Sequence, residues 1–258
     1  MSDLFDVAGK TVVVTGGTRG IGLMIAKGMA EAGARVIISS RKADACESAA
    51  AELSTVGDVV AYPADLSTEE GVVELAAFVA RTFDRVDVLV NNAGATWGAP
   101  IDEFPASGFD KVLGLNVTSV FALTQALLPQ LRAAASPDDP ARVINVGSID
   151  GLVVSKSENF SYGASKAAVH MLTRKLAGSL ADEHITVNAV APGPFPTKMM
   201  AFVLDDPELR SAVEADVPLG RVGTPEDIAG AAIFLSSRAG AYLTGTVIPV
   251  DGGISGTR

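Results

Sequence analysis

The 258-residue chain has one cysteine, two histidines and one tryptophan. A lone Cys46 excludes an intrachain disulfide, and thiol usage this sparse reads as an intracellular chain. Two histidines and one cysteine cannot build a His/Cys zinc cage, so no metal is expected. Positive charge is short as well. Twenty Lys and Arg stand against thirty Asp and Glu, a formal net charge of −10. No run of basic residues appears, and a chain of this sign repels phosphate backbones, so nucleic acid is not an expected partner. Lipid-compatible runs are also missing. The uncharged stretch Val112–Leu131 contains Asn116, Thr118, Ser119, Thr124, Gln125 and Pro129. It is too polar to span a membrane and reads as part of a buried helix, Phe109–Ala134. Met1–Asp6 carries acids where a secretory signal needs bases and an apolar core. A soluble, cytoplasmic protein with no membrane partner is expected.

What is present can fill a core: 48% of residues are hydrophobic and 19% charged. Apolar, β-branched runs alternate with helical stretches along the whole chain. Strands are expected at Thr11–Val14, Arg35–Ile38, Val59–Tyr62, Val86–Val90, Arg142–Val146, Ile185–Val190 and Thr246–Val250. Helices are expected at Ile21–Ala32, Asp44–Leu53, Thr68–Phe83, Phe109–Ala134, Tyr162–Leu180 and Thr224–Ser236. Short buried strands separated by helices predict an α/β fold of the doubly wound Rossmann kind. That means a seven-stranded parallel sheet with helices on both faces, built as one domain over residues 1–258. Thr224-Pro225-Glu226-Asp227 reads as a helix start, with a Thr cap and an acid three residues on. Between strand six and Thr224 lie more than thirty residues, including Met199, Met200, Phe202, Val203 and Leu204. Connections that long are usually functional, so a substrate lid is expected at about 194–217.

Thr15-Gly16-Gly17-Thr18-Arg19-Gly20-Ile21-Gly22 follows the first strand and opens the first helix. Glycines let the backbone approach a ligand, and a helix N-terminus offers free N–H groups and a positive dipole end. Gly16, Thr18, Arg19, Gly20, Ile21 and Gly22 are therefore candidates to cradle a pyrophosphate. The spacing is G-x3-G-x-G rather than the G-x-G-x-x-G of the common fingerprint. After the second strand the chain reads Ser39-Ser40-Arg41-Lys42, with no acid to bind a ribose 2′-hydroxyl. Ser40, Arg41 and Arg19 suit a 2′-phosphate instead, so NADP(H) is the expected cofactor.

These segments, with Asp65, Asn91-Asn92-Ala93-Gly94, Asn116, Ser148, Tyr162-x3-Lys166, Pro192-Gly193 and Val250-Asp251-Gly252-Gly253, resemble the short-chain dehydrogenase/reductase family over essentially the whole chain. The resemblance implies a catalytic set of Asn116, Ser148, Tyr162 and Lys166. Tyr162 would exchange a proton with the substrate oxygen and Ser148 would orient that oxygen. Lys166 would lower the tyrosine pKa and bind the nicotinamide ribose. Asn116 would hold a water linking Lys166 to solvent. Tyr162 and Lys166, four apart in a helix, share a face. The same resemblance places Asp65 and Leu66 at the adenine and Asn92, Ala93 and Gly94 at the adenosine ribose. It places Pro192, Gly193 and Thr197 at the nicotinamide. One spacing departs from the family: Ser148 and Tyr162 are fourteen apart rather than thirteen, which puts an extra residue in the loop between them.

Within the family the chain is similar to β-ketoacyl reductases of the branch linked to rhamnolipid and hydroxyalkanoate precursors. That implies NADPH-dependent reduction of a 3-oxoacyl thioester. A dehydrogenase of a sugar, steroid or other small alcohol uses the same residues, and a non-catalytic NADP(H)-sensing module is a third reading. Docking an acidic carrier protein would need a local basic patch, for which Arg132, Arg142 and Arg174 are candidates. Trp97 is weighed between the substrate pocket and core packing. A homotetramer or homodimer is expected, because the long apolar helices need burial and relatives commonly assemble.

Overall fold

In the computed structural model, residues 3–197, 200 and 205–257 are described. The strands are β1 Thr11–Thr15, β2 Arg35–Ser40, β3 Val59–Pro63, β4 Val88–Asn91, β5 Ala141–Val146, β6 Ile185–Pro192 and β7 Val247–Val250. They form one parallel sheet in the order β3-β2-β1-β4-β5-β6-β7. The order reverses between β1 and β4, and in open α/β sheets ligands bind at the carboxyl ends of the strands at such a switch point.

Both faces of the sheet are covered, because alternate strand residues point to opposite sides. Val12, Val14, Val36, Ile38, Val88 and Val90 pack on one side with Ile25 and Met29 of helix α1 (Gly20–Glu31). Ala49 and Leu53 of α2 (Ala43–Leu53) join this cluster, as do Ile228 and Leu235 of the last helix, Pro225–Ser236. Val13, Ile37, Leu89, Val143 and Val187 face the other way, against Leu75 and Val79 of α3 (Glu69–Thr82) and against the helices that follow β4.

The expected single helix Phe109–Ala134 is a correction. The chain there divides into α4 (Ala106–Leu113), a π-helical turn (Gly114–Thr118), α5 (Ser119–Ala126) and α6 (Leu128–Ala134). Ala106–Ala126 and Leu128–Ala134 are bent by 57°. Pro129 lies in the first turn of α6, where its missing N–H is tolerated and its ring blocks a helix running through. At Asn116 the cause is a side chain that leaves the helix to bond elsewhere. Among the described residues no single helix is long and apolar enough to cross a membrane.

Helix α7 (Phe160–Leu180) follows β5 and leads to β6. Within the expected lid, residues 198, 199 and 201–204 lie outside the described residues, and with them Met199, Phe202, Val203 and Leu204. The described remainder includes α8 (Pro207–Asp216), whose N-cap Asp206 accepts hydrogen bonds from Glu208 N and Leu209 N. The last helix is α9 (Pro225–Ser236). It opens on the expected capping box, with Thr224 N donating to Asp227 Oδ2 at 2.8 Å.

Candidate active site

Gly16 and Gly22 sit at the seam of β1 and β4. A Cβ on Gly22 would lie 2.4 Å from both Asn92 Nδ2 and Gly16 O, and one on Gly16 would lie 2.8 Å from Asn92 Nδ2. Gly16 also has φ +64°, a conformation that L side chains rarely adopt. Asn92 fastens this seam. Its Nδ2 donates to Thr15 O at 2.8 Å and to Gly16 O at 3.2 Å. Asn92 N and Ala93 N both donate to Thr15 Oγ1 at 2.9 Å. Asn92 thus shapes the cradle from beneath.

Helix α1 starts there with no side-chain cap on Arg19 and no acid in its first turn. A helix start that is neither capped nor neutralised keeps its N–H groups and positive end for an anion. Thr18 and Ile21 lie in the same turn, and Thr197 Cγ2 would be 3.3 Å from a Cβ on Gly20. Arg19 and Arg41 are exposed. Ser40 closes β2, and its carbonyl accepts from Ala64 N at 3.0 Å. Asp65 Oδ1 accepts from Ser67 N and Ser67 Oγ at 3.0 and 2.7 Å. Burial alone would raise its pKa, but the Ser67 hydroxyl and N–H, aided by the Arg41 guanidinium, hold it below the ordinary value. Leu66 is buried among the residues under α3. Gly193 N donates to Val250 O at 3.0 Å, which ties Pro192-Gly193 to the end of β7.

Tyr162 and Lys166 stand one turn apart on α7, as their spacing predicts, with Lys166 Nζ 5.4 Å from the tyrosine ring centroid. The Tyr162 side chain lies beside Ser148. Ser148 Oγ accepts from Asp150 N at 3.1 Å. Lys166 is buried, and its Nζ donates to Val146 O at 2.7 Å. The expectation that Lys166 lowers the tyrosine pKa is corrected for the cofactor-free chain. Burial pushes Tyr162 up to about 12, with Asp150 adding to the rise and the Ser148 hydrogen bond opposing it. Burial pushes Lys166 down to about 8, against the attraction of Asp150. Desolvation disfavours the charged form of each and is the largest cause of both shifts.

Asn116 is buried in the π-helical turn. Its Oδ1 accepts from Ala95 N at 2.8 Å, and its Nδ2 donates to Ala95 O at 3.0 Å and Ser165 Oγ at 2.9 Å. Both amide N–H groups are thereby committed. The side chain fixes the turn. Gly94 lies close by, 3.2 Å from Asn116 Oδ1 to a Cβ placed there.

A family model described as Enoyl-(Acyl carrier protein) reductase matches residues 16–255. The chain belongs to the short-chain dehydrogenase/reductase family. It is 52% identical to the rhamnolipids biosynthesis 3-oxoacyl-[acyl-carrier-protein] reductase of Pseudomonas aeruginosa, over 98% of this chain and 99% of that protein. It is 34% identical to a gluconate 5-dehydrogenase of Gluconobacter oxydans, over 98% and 97% respectively. The solved Pseudomonas aeruginosa RhlG/NADP active-site complex superposes with a TM-score of 0.96 at 51% identity, over 99% of this chain and 100% of that one.

The extra residue of this family member between Ser148 and Tyr162 falls in the loop, and Ser148 still lies beside Tyr162. Sequence reasoning missed a polar ladder beneath the site. Asn91 Nδ2 donates to Thr124 Oγ1 and Asn145 Oδ1, and Asn145 Nδ2 donates to Thr173 Oγ1. Its one signal was asparagine at the ends of two apolar strands. Trp97 packs on α4, with its ring 3.0 Å from a Cβ on Gly108 and Lys111 Nζ 5.2 Å from its centroid. The expected basic patch is a second correction. Arg142 is only 1% exposed and is ion-paired to Asp139, while Arg132 is bonded to Glu183. Arg174 alone of the three is exposed and without such a pair among the described residues.

Proposed function

We propose that the protein reduces a ketone to a secondary alcohol with NADPH, the ketone being that of a 3-oxoacyl thioester. The observation that carries this reading is that Ser148, Tyr162 and Lys166 stand at the carboxyl end of the same sheet from which the uncapped α1 starts. The 52% identity to a 3-oxoacyl reductase and the likeness to an NADP complex support the substrate class and the cofactor.

The residues present fit NADP(H). Gly16, Gly20 and Gly22 open room for a pyrophosphate at the start of α1, and Arg19 and Arg41 supply cations for a 2′-phosphate. Asp65 and Leu66 would hold the adenine, with Ala93 and Gly94 along its ribose. Pro192, Gly193 and Thr197 would border the nicotinamide. When bound, the cofactor supplies the hydride.

The chain's own residues handle the oxygen and its proton. A tyrosine pushed up to about 12 keeps its proton at neutral pH and can give it to a carbonyl oxygen as charge develops there. Ser148, beside Tyr162, would orient the same oxygen. Lys166 is held by Val146 O one turn away, placed to stabilise the phenolate that forms. Exposed Phe109, Phe121 and Met171 on α4, α5 and α7 support a homotetramer or homodimer. A cytoplasmic site of action belongs to the same proposal.

NADPH oxidation measured with acetoacetyl-CoA, 5-ketogluconate and a steroid ketone tests the proposal. Turnover is expected with the thioester in preference to the others. Turnover confined to the sugar or steroid would move the substrate class, and none with any ketone would overturn the function.

A further inference from the structure

His170 sits on α7 one turn beyond Lys166, and its ring is enclosed rather than paired. The residue is 3% exposed, and neither ring nitrogen has a hydrogen-bond partner among the described residues. Burial holds the imidazole below the ordinary histidine range. The Gly151 backbone opposes that shift, and Lys166 and Arg174 add to it.

The ring lies against two glycines. A Cβ on Gly147 would fall 2.2 Å from His170 Nε2, and one on Gly151 would fall 2.8 Å from His170 Cε1. Gly147 and Gly151 bracket Ser148. The segment is anchored at its near end by Gly147 N donating to Val190 O at 2.8 Å. It is closed on itself by Gly151 N donating to Ser148 O at 3.1 Å. At 147 the ring takes most of the space a side chain would need, with Val190 O at 3.2 Å; at 151 it shares that space with the α7 backbone, Lys166 C and Ala167 N both at 2.7 Å. A buried polar ring this poorly paired costs stability and calls for an explanation.

We propose that His170 is a positioning residue, its ring serving as the spacer beneath residues 147–151 that sets the Ser148 hydroxyl at Tyr162. The proposal rests on the catalytic reading of Ser148 and Tyr162 given above. It acts through placement, since small displacements of orienting groups carry large rate costs.

A double-mutant cycle in the complete protein tests it, with NADPH and acetoacetyl-CoA. His170→Ala is expected to lower kcat on the order of ten- to a hundredfold with NADPH Kd unchanged. In a Ser148→Ala background the same substitution is expected to add almost no loss. An unchanged kcat, losses that multiply independently, or lost NADPH binding would each overturn the inference. Melting temperatures test the contact without turnover. Gly147→Ala is expected to melt lower than the wild type, and Gly147→Ala/His170→Ala higher than Gly147→Ala. A double variant no more stable than Gly147→Ala overturns the contact. A wild type inactive toward every ketone overturns the proposed function instead, and the melting comparison still decides the contact.

Discussion

Asn116 Nδ2 donates to Ser165 Oγ at 2.9 Å, which joins the π-helical turn to the helix that carries Tyr162 and Lys166. Ser165 Oγ in turn donates to Tyr162 O at 2.7 Å. π-helical turns are rare and occur frequently at functional sites. Asn116→Ala removes three hydrogen bonds and leaves Ala95 N and O without that partner. A loss of about 1–3 kcal/mol in unfolding free energy is expected from the unsatisfied groups, read from denaturant melts. A variant as stable as the wild type would show that the turn stands without its amide.

Tyr162→Phe keeps the ring and deletes only the hydroxyl. Positioned acid–base groups contribute about 10²- to 10⁴-fold in rate, so kcat is expected to fall by that order while NADPH binding persists. Steady-state kinetics with a fluorescence titration of the cofactor decides it. Undiminished turnover would remove Tyr162 from the reaction.

Arg41→Ala separates the two dinucleotides. Hydrogen bonds to charged groups are worth about 1.5–3 kcal/mol, so kcat/KM for NADPH is expected to fall roughly ten- to a hundredfold by that arithmetic. The value for NADH should hardly move, since it lacks the phosphate. Equal losses with both cofactors would show that Arg41 serves the fold instead.

Lys166 and Tyr162 make stability depend on pH in opposite directions. With Lys166 at about 8 in the folded chain and 10.5 as its ordinary value, the unfolded state binds more protons between those limits. Stability from this group therefore rises as pH climbs through that window. With Tyr162 at about 12 against an ordinary 10.0, the folded state binds more protons between those limits, and stability falls there. Melts of the cofactor-free protein should show the wild type gaining on Lys166→Met from about pH 8 to 10. Above about pH 10 it should lose ground to Tyr162→Phe. A flat difference with Lys166→Met would mean that the lysine stays charged when buried.

The strands and most helices were legible because runs such as Val12-Val13-Val14 and Val36-Ile37-Ile38 are buried on both faces and have few other uses. The site residues were legible because each sits at a strand end or on one helical face, where its neighbours in sequence are also its neighbours in space. The long helix was misread at Asn116 because its partners, Ala95 and Ser165, are 21 and 49 residues away. Periodicity sees only local neighbours. Arg142 looked like a surface cation because its partner Ser237 O is 95 residues away. The tyrosine pKa was anticipated in the wrong direction because a helical spacing gives the distance between two charges but not the water that both lose.

The seam between β1 and β4 has a consequence outside catalysis. Asn92 meets Thr15 across 77 residues of chain, so the cradle does not exist until the two middle strands have found each other. A dinucleotide that recognises only the assembled seam draws molecules away from the unfolded state by mass action. At a hundredfold excess over its Kd this is worth about 2.7 kcal/mol. The same seam that makes the cradle therefore makes the folded fraction depend on the supply of dinucleotide.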